Sequence, residues 1–169
     1  VIPALGIILY SGFEHRQDAI KDEKEDALAA LQGIASQHEL TVEGARQLLM
    51  TLSMLPEVQK QKVAACNKLL SELLKLNPVY ANLFIATPEG QVISSALPFT
   101  PHSTRHRKYL QDALKAKGLS VGEFVIGVSV KESVLHFAFP MLDPEGKLRG
   151  IVVAAVNLDL YGKTFLKAK

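Results

Sequence analysis

Residues 102–114 read HSTRHRKYLQDAL, and this stretch carries the densest set of groups able to do chemistry. Arg105, His106, Arg107 and Lys108 bring cations and a titratable imidazole to the start of a helix-forming segment, with Tyr109 next in line. Ser103 or Thr104 is the expected N-cap, and Tyr109, Leu110 and Leu114 recur behind it at helical spacing. A helix N-terminus already carries partial positive charge, so each cation there is disfavoured by roughly 0.3–1 kcal/mol. An anion held at that end would offset the cost. A guanidinium offers a carboxylate two parallel donors, and the free N–H groups of the first turn point the same way. The competing expectation is a solvated face whose cations reach water or pair with acids such as Asp112 and Glu123.

The rest of the chain argues against catalysis. A nucleophile elbow, a phosphate-binding loop and a dinucleotide-binding glycine fingerprint are all missing. His15, His38, His102, His106 and His136 show no metal-ligand spacing, and no acid beside the 102/106 pair completes a ligand set. Ser94 and Ser95 follow a strand without a nearby base. An acetyltransferase also sets helices before a meander of strands, but it needs a glycine-rich loop that opens a helix. Here DPEGKLRGIVV runs into a strand instead. A non-enzymatic domain with no cofactor and no metal is expected.

Those groups need elements to hold them. The chain has 169 residues and 48% apolar content, enough for a folded domain with its own core. Lys and Arg total 19 against 17 acids, too even a balance for a general nucleic-acid binder. The single Cys66 excludes an internal disulfide and reads as a packed thiol on the apolar side of a helix. VIPALGIILYSGF (1–13) breaks abruptly into charged sequence. Too short to span a bilayer alone, it reads as the tail of a transmembrane helix that continues upstream, with a buried first helix or strand as the alternative.

Leu28, Leu31, Ala35, His38, Val42, Ala45, Leu49 and Leu52 then form a seam spaced alternately by three and four residues, with His38 as a tolerated polar member. A helix over 18–54 would be roughly 55 Å long at 1.5 Å per residue. The seam serves either a second copy of the chain or the domain's own sheet. Pro56 ends that helix or opens the next, and Val58 to Leu74 suggest a second amphipathic helix finishing near Asn77 and Pro78. Strands follow at 80–86 and 91–96 as a hairpin around TPEG. After the basic helix, closed at Lys117 and Gly118, come strands at 121–130, 133–142 and 147–160, the last two joined by a DPEG turn. The fold class is α+β, a five-stranded antiparallel sheet with one crossover helix and a long helical lead on one face.

Together YANLFIATPEGQVISSALP, HRKYLQDAL, VGEFVIG and LHFAFPMLDPEGKLRGIVVAAVNLDL resemble the Cache sensor domains, the PAS-like extracytoplasmic modules of bacterial receptors. The resemblance covers about 77–161. It implies a periplasmic sensor of a transmembrane histidine kinase, diguanylate cyclase or chemoreceptor, with a small molecule held between the sheet and the crossover helix. In this family an Asp-Arg-x-Tyr/Phe-Phe segment opens that helix, and its Arg often grips a ligand carboxylate. His106-Arg107-Lys108-Tyr109-Leu110 occupies those positions, so Arg107 and Tyr109 carry over while the family's Asp is replaced by His106. Amino-acid-binding members place acids on the third and last strands for the ligand ammonium. The matching positions here, Phe124 to Ile126 and Asn157 (or Asp159 with a slip of two), lack the first acid and keep the second only under the slip.

The resemblance therefore implies a small carboxylate or other anion without an amine. The expected site is Arg107 and Tyr109, with His106 or Arg105 adding charge, Phe124, Ile126 and Asn157 on the strands, and His136 as either a wall or a contact. The expected layout is a transmembrane tail at 1–13, a helical lead at 14–76, the sensor domain at 77–163 and a return towards the membrane at 164–169. A homodimer through the first helix is expected. A ligand-free dimerisation scaffold is the alternative function.

Overall fold

A computed structural model describes residues 28, 32–33, 35–36, 38–127 and 130–159. The expected transmembrane tail, the seam residue Leu31 and the return segment lie outside the described residues. Among the described residues no helix is long and apolar enough to cross a membrane. The chain divides into two compact units, Val1–Val42 and Glu43–Lys169. In the first, the described residues are helical, and Leu28 is 56% exposed.

The second unit holds the sheet and all of its helices. Helix α1 covers 43–54 here, and its seam positions Ala45, Leu49 and Leu52 are buried. The lower half of the seam thus serves this unit's own core. Pro56 then opens α2 (Pro56–Gln59) as its first residue. The chain breaks at Gln61 before α3 (Val63–Leu76), so one expected helix is two. Gln61 sits at φ 49° without being glycine. Its amide donates to the Arg149 carbonyl at 2.7 Å, a tertiary tie that no local pattern announces. Cys66 and Leu70 form the buried stripe of α3.

The strands are β1 (Tyr80–Ala86), β2 (Val92–Ser95), β3 (Ser120–Ile126), β4 (Ser133–Leu142) and β5 (Leu148–Asn157). They form one sheet in the order β2-β1-β5-β4-β3, every neighbouring pair antiparallel. β5 lies in the middle and is buried from Gly150 to Asn157, which is why it reads as an unbroken run of small apolar residues rather than as an alternation. The two faces do different work. Helix α3 packs on β1 and β2, while the crossover helix α4 (Lys108–Ala116) packs on β3 and β4. Tyr109, Leu110 and Ala113 of α4 share a core cluster with Phe84, Val92, Ala138, Ile151 and Val153.

Two features seat α4. The β1–β2 turn closes with the Gly90 N–H donating to the Thr87 carbonyl at 2.9 Å. Gly90 adopts φ 88°, and a Cβ there would lie 2.6 Å from the Arg105 backbone nitrogen, so glycine is required for conformation and for space. The Gly90 carbonyl in turn accepts from the Thr104 backbone N–H at 2.7 Å and from its hydroxyl at 3.1 Å. Thr104 is therefore committed to the turn and does not cap the helix. The N-cap is Arg107, in extended conformation and without a side-chain cap, and the helix starts at Lys108. Arg105 and His106 precede the first turn, so the load of cations on the helix dipole is lighter than the sequence suggests. At the other end Lys117 takes the left-handed conformation that Gly118 could have supplied.

Candidate ligand-binding site

Between α4, its preceding loop and the sheet lies a cavity of about 230 Å³. Arg107 and Tyr109 reach it from the helix start. His102, Ser103, Thr104 and His106 come from the loop, and Phe99 closes one side. The sheet contributes Asn82 and Phe84 of β1, Val92 and Ser95 of β2, Val125 of β3, Val134 and His136 of β4, and Ala155 of β5. A second recess of about 170 Å³ is lined by Lys108 and Glu123 together with His106, Arg107, Tyr109, Val125 and His136. Those last five residues line both spaces.

The two expectations for the basic cluster divide between neighbouring residues. Lys108 pairs with Asp112 at 2.7 Å across one turn of the exposed face. Arg107, one residue earlier, faces the cavity, and among the described residues no carboxylate lies within ion-pair distance of it. A guanidinium at a helix start beside an apolar-walled cavity is an arrangement that can bind a carboxylate through two charge-assisted hydrogen bonds.

His136 is the other unusual group. Its ring stacks on Tyr109 at 4.8 Å between centroids and 22° between planes, and meets the edge of Phe84 at 6.1 Å. Its Nδ1 is fully buried and has no hydrogen-bond partner among the described residues. Burial first, and the Arg107 charge second, push its pKa down to about 4, so the ring is neutral at physiological pH. Burial also pushes the Tyr109 phenol up to about 12 against weaker opposing pulls from Thr104 and Arg107. The Tyr109 carbonyl accepts a hydrogen bond from the Ser120 hydroxyl, which ties α4 to β3. Close packing at Gly122, where a Cβ would meet Tyr109 at 3.1 Å, holds the same contact shut.

The structure brings Arg107, Tyr109, His106 and His136 together around the cavity. It places the other expected residues elsewhere. Arg105 packs its backbone against Gly90 and does not line the cavity. Phe124 and Ile126 are 62% and 67% exposed on the other face of β3, and Val125 between them faces the cavity. Side chains alternate along a strand, so an offset of one residue exchanges the faces. The irregular pairing between Val121 and Phe124 shifts that parity midway along β3. Asn157 is buried at the end of β5 and donates through Nδ2 to Glu132, outside the lining, while its Oδ1 accepts from the Asp159 N–H at 2.9 Å. Asp159 itself is exposed.

Asn82 and Ser95 were missed. Their side chains bond each other at 3.1 Å, and Asn67 of α3 accepts the Ser95 N–H at 3.0 Å. The signal was present: an asparagine inside YANLFIA and a serine pair ending the next strand are polar residues in strands that are otherwise buried.

No family model matches the sequence, and no curated protein matches it. Solved structures do. The sensor domain of the Vibrio cholerae histidine kinase DctB is similar over 79% of this chain and 55% of its own, at 18% identity and a TM-score of 0.66. The ligand-binding domain of the Pseudomonas aeruginosa amino-acid chemoreceptor PctC, solved in complex with GABA, is similar over 78% and 60%, at 20% identity and 0.62. The extracellular domain of the histidine kinase vpHK1S-Z8 is similar over 86% and 63%, at 12% identity and 0.71. The chain thus spans 55% to 63% of the length of these structures. With its helices laid on an antiparallel sheet of the order given above, the chain has the fold of these histidine-kinase and chemoreceptor sensor domains.

Proposed function

We propose that this chain is the ligand-sensing part of a membrane signalling receptor, displayed on the periplasmic face of the inner membrane and carried by flanking transmembrane helices. It acts by binding rather than catalysis, and its ligand is a small carboxylate. One observation supports the ligand class: Arg107 faces the cavity at a helix start, and among the described residues no carboxylate lies within ion-pair distance of it. The volume of about 230 Å³ equals roughly eight waters at about 30 Å³ each, which suits an acid of some six to eight heavy atoms. Bound there, the carboxylate lies between α4 and the sheet, so its affinity is spent on the relative position of those two elements.

A screen of acetate, lactate, pyruvate and succinate by thermal shift and calorimetry tests this reading. The expected result is stabilisation by at least one acid and a loss of about tenfold or more in affinity for Arg107→Ala, the range for a charge-assisted pair. No stabilisation by any of them, or an unchanged response in Arg107→Ala, overturns it.

A zwitterionic ligand is the second reading, favoured by Glu123, whose carboxylate lines the outer recess beside Arg107. The similar chemoreceptor domain solved with GABA makes that acid the natural probe. Binding of GABA that is lost in Glu123→Gln would select this reading over the simple anion.

A further inference from the structure

We propose that carboxylate binding in this cavity is coupled to proton uptake at His136, so that the domain responds jointly to an anion and to the acidity around it. The inference rests on the carboxylate reading above and adds a second chemical input to the same site.

The imidazole stacks on Tyr109 on one side and meets the edge of Phe84 on another. Its Nδ1 is buried without a hydrogen-bond partner among the described residues. The charged and titratable groups around it come from three directions. Arg107 and Tyr109 face it from the start of α4, and His102 and His106 join them from the preceding loop. Lys108 and Glu123 stand at the outer recess. β1 and β5 present Asn82 and Ala155, which carry no charge.

Without ligand, the low dielectric and the Arg107 charge both keep the ring neutral. A carboxylate seated on Arg107 reverses this balance. It cancels the nearest like charge and places an opposite charge in the same shielded space, and both effects favour the imidazolium. Linkage makes the coupling reciprocal: if the ligand raises proton affinity, acid raises ligand affinity.

Calorimetric titration of the 169-residue chain with acetate, lactate, pyruvate and succinate tests the proposal. It is run at pH 5.5 and 7.5 in two buffers of different ionisation enthalpy and corrected for each acid's own ionisation. The expected result is net proton uptake and an affinity at least about fivefold higher at pH 5.5, with a limiting slope of about tenfold per pH unit for one coupled proton. In His136→Gln both effects disappear. The ring resonances of His136, followed by NMR in the unmodified chain, report the same shift even if that variant does not fold. Binding with equal heats in both buffers and an unmoved His136 titration overturns the coupling and leaves the carboxylate reading standing. No binding by any of the acids overturns both.

Discussion

His136 ties stability to pH as well as to ligand. Its ordinary value of 6.5 applies to the unfolded chain, and burial holds it near 4 in the folded one. Between those values the unfolded chain binds more protons, so stability is full above about pH 6.5 and is lost as the pH falls towards 4. The loss should reach about 3 kcal/mol at the lower end, the free-energy equivalent of the shift. Urea unfolding from pH 4 to 8 without ligand measures it, and His136→Phe should flatten the curve because an apolar ring leaves no buried nitrogen to charge. Glu43 overlaps the acid end of this window, so the comparison with His136→Phe isolates the histidine. Arg46 and Gln47 hold its carboxyl down to about 2, so its contribution is full above about pH 4.5 and is lost progressively as the pH falls from there towards 2. At this scale the cavity-lining positions of Arg107, Tyr109, His106 and His136 were legible because cations at a helix start and a histidine in a strand stand out from their surroundings. Asn82 and Ser95 were missed, since they satisfy each other and stand out only once the two strands are paired.

At the scale of elements, the strands were legible wherever glycine and proline punctuate apolar runs. β1 and β4 match the expected bounds, and β5 is shorter by a few residues at its ends. Two boundaries were not legible, for one shared reason. Gln61 breaks α2 from α3, and Arg107 rather than Thr104 opens α4, because each local signal is overruled by a hydrogen bond to a distant segment. Parity on β3 failed for a related cause, since the irregularity in its pairing with β4 has no marker in the residue types. The seam splits in the same way. Leu49 is fully buried in the second unit, so Leu49→Ala should cost about 2–5 kcal/mol in denaturant unfolding. Leu28 is exposed, so Leu28→Ala should leave monomer stability within about 0.5 kcal/mol. If the upper seam serves a dimer, sedimentation over a dilution series will show Leu28→Ala dissociating at higher concentration than the unchanged chain.

For the whole molecule, the sheet, its helices and the cavity all belong to Glu43–Lys169. That unit has its own core, and among the described residues none from 1–42 lines the cavity. A fragment of 43–169 is therefore expected to unfold in a single calorimetric transition and to bind the same acids as the full chain, with affinities within about threefold. A fragment that folds but has lost binding would place part of the site in the first unit.

The contact between Gly90 and the backbone ahead of α4 has an implication for genetics. Replacing that glycine by alanine forces either the reverse bend or the basic loop to give way, because 2.6 Å is too close for any carbon. Gly90 does not itself line the cavity, yet its injury would be delivered to the guanidinium two residues beyond the point of collision. Mutants selected for deafness to the stimulus should accordingly include lesions at this bend, in protein that is still made and still folded.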